Sequence, residues 1–204
     1  MRAAGRTPSR AGEAGFSMIE ILVSILIMVV GILGFIGLQA RAQVAEVEAY
    51  QRGQALILVQ DMVDRLNTNR KAAGCYAITA NAATGSPALG TGYVGALTCT
   101  AAVGTTATRA VASQDLQDWN NALLGTTETL GGNPVGTILG ARGCVTFAAA
   151  TQQYRVAVAW QGLVATVAPN ANAANAAATC GLNQYGNDAQ RREVSATLLI
   201  ANLN

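Results

Sequence analysis

The chain has 204 residues, of which 51% are apolar and only 12% charged, with 22 glycines and a net charge of +2. A charge this small excludes nucleic-acid binding driven by electrostatics alone, and the size allows one modest domain plus a membrane segment. Histidine is absent, which removes the commonest general base and the commonest metal ligand together.

Residues 1 to 15 carry Arg2, Arg6 and Arg10 against Glu13, and the remainder of the chain is balanced in charge. This basic stretch leads into "GFSMIEILVSILIMVVGILGFIGLQ" at 15 to 39. From Ile21 to Leu38 only Ser24 and three glycines interrupt a wholly apolar run, near the lower limit of the roughly 17–25 residues that span a bilayer as a helix. Basic residues before the run put the N-terminus in the cytoplasm and the rest outside it. Gly31, Gly34 and Gly37 recur every three residues and allow close helix approach in lipid.

Glu20 is the anomaly. A carboxylate costs about 2.5–3.5 kcal/mol at the centre of an inserted helix, so an acid here needs a reason. Four readings compete. Glu20 can sit at the cytoplasmic interface, where the helix dipole favours negative charge. The segment can be a secretory signal, with "ARA" at 40 to 42 as its small-x-small site, although the apolar region is long for one. It can be an ordinary single-span anchor. Alternatively, cleavage between Gly15 and Phe16 would create an α-amino group of pKa about 7.7–8.0, a cation to pair with Glu20 in the same or a neighbouring chain.

A helical pattern continues without proline through "AQVAEVEAYQRGQALILVQDMVDRLNTNR", where Leu56, Val59, Val63 and Leu66 form an apolar stripe. One helix from Phe16 to Asn69 is expected, greasy all round in its first half and amphipathic in its second. After Gly74 the texture turns to Gly, Ala, Thr and Ser, with loop and short strands over 83 to 100. Ser113 is expected to cap a short helix, "QDLQDWNNALL", with Asp115 in its first turn and Leu116, Trp119 and Leu123 on one face, ended by "GGNP" at 131 to 134. "CVTFAA" and "QYRVAVAW" then read as strands. In the second, Tyr154, Val156, Val158 and Trp160 alternate with Arg155, Ala157, Ala159 and Gln161, the pattern of a half-buried antiparallel strand. Residues 168 to 179 are low-complexity and read as loop, and Val194, Ala196, Leu198 and Ile200 alternate near the end. Both tryptophans fall at core positions. The fold class is α+β: a long N-terminal helix, transmembrane then amphipathic, packed on a small antiparallel sheet. Its expected divisions are 1–15, 16–38, 39–72 and 73–204.

The cysteines, Cys75, Cys99, Cys144 and Cys180, lie far apart with no CxxC, a poor zinc pattern. An even number beyond a membrane segment fits two disulfides in an oxidising compartment. The sequential pairing, Cys75 with Cys99 and Cys144 with Cys180, is expected among three possible connectivities, each bridge clamping a Gly/Ala-rich loop. No catalytic residue, cofactor or metal is implied. Lys71 is the single lysine, and no glycine run ends in GK[ST].

"GFSMIE" followed by about twenty apolar residues resembles the class III signal of type IV pilins and pseudopilins. The resemblance implies that a prepilin peptidase cuts after Gly15 and methylates Phe16, and that Glu20 docks the subunit into a filament. "VGILGFIGLQ", "AYQRGQALILVQDMVDRLNTN", "DLQDWNNAL" and "VAVAW" are similar to PilV-type minor pilins, the type IV pilus modification proteins. That likeness implies a non-enzymatic minor pilin held in the inner membrane, its domain periplasmic, then carried on the pilus at the cell surface. Its partners would be the prepilin peptidase, the assembly platform, and other minor and major pilins. The segment lacks the helix-kinking proline common in major pilins, and 24 residues follow Cys180, so a major-subunit role fits poorly. The alternatives are a minor pseudopilin of a type II secretion system, or an exported adhesin or DNA-binding tip subunit. The balanced charge points away from nucleic acid.

Overall fold

The computed structural model describes residues 15–126, 129–130, 133–134, 138–170 and 177–200. Helix α1 spans Met18–Thr68, followed by a 3-10 helix at Arg70–Cys75. Strand β1 is Leu89–Gly90, helix α2 is Thr106–Leu124, and β2 (Thr129–Leu130) pairs with β3 (Asn133–Pro134). Then come β4 (Arg142–Ala148), β5 (Gln153–Gln161), a 3-10 helix at Asp188–Gln190 and β6 (Arg191–Leu199). The main sheet is antiparallel throughout, in the order β1-β4-β5-β6. The chain divides into two units, Met1–Ala45 and Glu46–Asn204.

In the first unit, α1 begins at Met18 rather than at Phe16. Ser17 sits before it, its carbonyl accepting from the amides of Glu20 (3.0 Å) and Ile21 (3.3 Å). From there to Gln43 every described side chain is exposed, and the helix is long and apolar enough to cross a membrane. That pattern is the one expected of a helix whose surroundings are themselves apolar.

In the second unit the remainder of α1 buries one stripe: Gln51, Ala55, Val59, Met62 and Leu66. This corrects the expected stripe. At about 100° per residue these five positions fall within about 80° of one another, whereas Leu56 lies about 100° from their centre and Val63 about 80°. Leu56 is accordingly 50% exposed and Val63 half-buried. Large apolar residues drew the stripe to Leu56, but the packed face uses Ala55, whose small side chain permits close approach.

Helix α2 starts seven residues before Ser113. Its cap is Thr105, whose hydroxyl accepts from the Thr108 amide (3.2 Å) while the Thr108 hydroxyl accepts from the Thr105 amide (2.8 Å). Threonine completes a reciprocal box that usually ends in Glu or Gln. Ser113 lies inside the helix, donating to the Arg109 carbonyl and accepting from the Cys99 amide. The C-cap is Gly125, in the left-handed region at φ 67°. The expected terminator at 131–134 lies partly outside the described residues.

The buried face of α2 is Ala112, Leu116, Trp119 and Leu123. Trp119 is fully buried, and its indole N–H donates to the Leu58 carbonyl on α1 (2.9 Å). Its ring lies against Gly143 on β4, where a Cβ would stand 2.3 Å from Trp119 Cη2. Any side chain at 143 would push α2 off the sheet.

Strand β5 is buried on both faces, not one. Tyr154, Val156, Val158 and Trp160 face the main core, and Ala157 and Ala159 are covered by a second cluster containing Cys144, Cys180 and Tyr185. Alanine at those positions reads as a tolerant outer face, but here it makes room for a covering segment. β6 buries Val194, with Ala196, Leu198 and Ile200 packed against the main core at its edge.

The revised stripe makes a direct prediction. Met62→Ala will lower unfolding stability by about 2–5 kcal/mol, and Leu56→Ala by no more than about 0.5 kcal/mol. Chemical denaturation of the two variants in detergent measures both.

Candidate functional site

The residues singled out in the first unit lie along one exposed segment. Gly15 and Phe16 precede the helix, with Phe16 81% exposed, and Glu20 occupies the first turn of α1. Among the described residues no cation meets the Glu20 carboxylate; its backbone carbonyl accepts from the Ser24 hydroxyl (2.7 Å). The carboxylate and the residues before it are thus presented outward together. A Cβ at Gly31, Gly34 or Gly37 would meet nothing within 4 Å. Because a step of three residues falls short of a full turn by about 60°, the three glycines spread over about 120° of the helix surface rather than forming a straight row.

The second unit is held by two bridges and two charged clusters. Cys75 lies against Cys99 (Cα–Cα 5.1 Å) and Cys144 against Cys180 (5.8 Å), each pair joined as a disulfide. The first ties the 3-10 helix after α1 to the loop before α2. The second fastens the 177–185 segment onto the back of β4 and β5.

One charged cluster joins α1 to α2. Arg65 donates to Asp61 (3.0 Å) on its own helix and to Asp115 (2.9 Å) on α2, and the Tyr76 hydroxyl donates to the other Asp115 oxygen. Asn69 donates to the Tyr76 hydroxyl (3.1 Å) and to the Thr108 carbonyl (2.8 Å). Burial, then the bond to Asp115, pushes the Tyr76 phenol well above its ordinary pKa of 10.0. It stays a donor at any physiological pH. Because α2 starts at Thr106, Asp115 sits in its third turn as a fastening point, not as a first-turn dipole partner.

The other cluster centres on Arg191, whose side chain is wholly buried. It donates to both Asp188 oxygens (2.7 and 2.9 Å), to Glu193 (3.0 Å), to Asn170 (2.9 Å) and to the carbonyls of Ala178 (2.8 Å) and Cys180 (3.2 Å). A buried guanidinium is tolerable only when so fully paired. Glu193 also accepts from Arg155 (2.8 Å). Burial pushes the Glu193 carboxyl above its ordinary pKa, against the pull of Arg155 and Arg191. Hydrogen bonding to Arg191 holds Asp188 below its own. Nearby, Glu48 on α1 accepts from Arg192 (3.1 Å) and from the amides of Leu163 (3.2 Å) and Val164 (3.4 Å), seating the segment after β5 on the helix.

Sequence reasoning missed these clusters. A signal was available: "DAQRRE" at 188 to 193 carries four charges in six residues within a chain that is only 12% charged. Asp115, Arg65 and Tyr76 offered none, being far apart in the chain.

Among the described residues, these arrangements clamp loops and helices to one another. Residues 37–112, somewhat more than a third of the chain, match the Tt1218-like family, described as Type IV pilin Tt1218. Over that stretch, from the end of the apolar segment into the first two turns of α2, the chain is similar to type IV pilins. A long N-terminal helix with a small antiparallel sheet is consistent with the type IV pilin fold. No curated protein and no solved structure matches the chain.

The Arg191 cluster predicts a pH-dependent penalty. Asp188 is depressed in the folded state, so its contribution is present above its ordinary pKa of 3.8 and lost as pH falls through the lower folded value. Asp188→Asn should therefore destabilise the protein at pH 7 by roughly 1–3 kcal/mol, and the gap from wild type should close on acidification below pH 3.8. Glu193 acts in the opposite sense, so the difference between the two proteins, followed by thermal unfolding across pH, is the quantity to read.

Proposed function

We propose that this chain is a structural, non-enzymatic minor pilin of a type IV pilus. Prepilin peptidase cuts the basic leader after Gly15 and methylates Phe16. Residues 16–38 then anchor the subunit in the inner membrane with the N-terminus cytoplasmic, residues 39–72 continue into the domain, and 73–204 form the periplasmic part. Glu20 draws the subunit from the assembly platform into the filament beside other minor and major pilins, supporting pilus biogenesis and hence motility or adhesion.

The observation that carries this reading is the exposed apolar start of α1, which bears one carboxylate in its first turn immediately after the Gly15–Phe16 junction. An acid left facing lipid is unfavourable, and a neighbour's new α-amino group, protonated at neutral pH, relieves it. The cost then becomes a driving force for joining chains. The match over 37–112, which lies almost wholly outside the apolar segment, supports the type IV pilin-like part of this reading.

Two measurements test it. Intact mass of the membrane-extracted protein should give a mature chain beginning at methylated Phe16; an N-terminus at Met1 or Gln43 would count against processing by prepilin peptidase. Glu20→Ala should leave the membrane level unchanged or higher, because a charge leaves the span, while its share in sheared filaments drops by roughly tenfold or more, the scale of losing one charged hydrogen bond. Equal incorporation of variant and wild type would favour the plain interfacial role for Glu20.

A further inference from the structure

A half-open cleft of about 360 Å³ lies at the end of the sheet where β1 ends and β4 begins, away from the charged clusters above. It is the right size for a small ligand. Arg142, the first residue of β4, is the charged side chain in its wall. Unlike Arg65, Arg155, Arg191 and Arg192, Arg142 meets no carboxylate among the described residues; its guanidinium lies beside the Tyr185 phenol, and its Nε is buried without a partner.

The guanidinium is nonetheless held in place. Its Cζ lies 5.9 Å from the centre of the Tyr185 ring, which is itself fixed by donating to the Gly140 carbonyl (3.0 Å). Gly92 stands beside the fork: a Cβ there would lie 3.3 Å from both Nη1 and Nη2, so glycine leaves room next to the two terminal nitrogens. Gly92 has φ 82°, a conformation that favours glycine in any case. The rest of the wall carries the Thr84 and Ser86 hydroxyls and the Gln184 amide, none of them hydrogen-bonded through its side chain to a described residue.

We infer that this cleft binds a carboxylate-bearing sugar, with the Arg142 fork holding the carboxylate and Ser86, Thr84 and Gln184 the hydroxyls. One guanidinium with no second cation in the wall matches a monoanion; a phosphate dianion would leave charge unmatched. Neutral groups that both donate and accept suit hydroxyls, and the Tyr93 ring adds an apolar wall for a sugar face. The volume suits a single residue at the end of a glycan. Such a site would give the exported domain a surface to hold, and it stands whether or not the chain enters a filament.

The test uses the full chain in detergent, titrated with D-glucuronate by calorimetry, with D-glucose, N-acetylglycine and inorganic phosphate as comparisons. Glucuronate should saturate one site. Glucose, lacking the carboxylate, and N-acetylglycine, lacking the hydroxyls, should each bind at least roughly tenfold more weakly, the scale of one charge-assisted or a pair of neutral hydrogen bonds. Arg142→Gln should weaken glucuronate binding by a similar factor at an unchanged unfolding temperature. If that variant does not fold, Gln184→Ala, at an exposed position, should weaken binding severalfold without loss of stability. No saturable glucuronate binding, phosphate or N-acetylglycine binding as tightly as glucuronate, or full affinity in the variant that folds would overturn the proposal. Equal binding of N-acetylglycine would instead indicate a peptide C-terminus as the occupant.

Discussion

Trp119 is the point on which the domain closes. Its ring fills the space between α2 and β4, its indole N–H is spent on the Leu58 carbonyl of α1, and its approach to the sheet exists because residue 143 is glycine. Three elements far apart in the chain are thereby fixed by one side chain. A buried tryptophan contributes a large apolar surface together with a donor that must be paired. Both demands are met here by different partners. The helix that offers Leu58's carbonyl to Trp119 buries Ala55 and leaves Leu56 half exposed.

The charged clusters play a different part. With only 12% of its residues charged, this chain concentrates them where loops must be held. Arg191 gathers two carboxylates, one amide and two backbone carbonyls, and so binds the start of β6 to the segment around Cys180. The Cys144–Cys180 bridge fastens the same segment covalently. A loop rich in Gly and Ala has a high ordering cost and little apolar surface to repay it, so it needs such fixed points. Ordered in this way, the segment covers the alanine face of β5 and supplies Gly181, Gln184 and Tyr185 to the Arg142 cleft.

The start of α1 obeys another rule. Its side chains are apolar and exposed in every direction, so no protein core within the chain is served by them. Glu20 is the exception in composition and is left outward among apolar neighbours. The physics that makes such a carboxylate unfavourable alone makes it selective for a cation brought by another molecule. Structural proteins that assemble in lipid can use this asymmetry to favour the assembled state over the free one.

Much was determined by the sequence alone. Periodicity and length define the long helix, the alternation in 153–160 defines an antiparallel strand, and the Gly15–Phe16–Glu20 spacing is the pattern on which the proposed processing and assembly site rests. These are local patterns, set by the rise of a helix, the pleat of a strand and the thickness of a bilayer. Tertiary structure decided the rest. Leu56 and Ala55 are both acceptable helix residues, and only the partner surface selects which is buried. Ser113 and Thr105 are both good caps, and the choice falls to Thr105 because Thr108 answers it and Ser113 is taken by Cys99. Ala157 and Ala159 look like an open face until the disulfide-fastened segment covers them. Arg142 reads as one more arginine among thirteen basic residues; that it is held beside Gly92 and Tyr185 with no carboxylate partner among the described residues depends on contacts between segments distant in the chain, which no local pattern encodes.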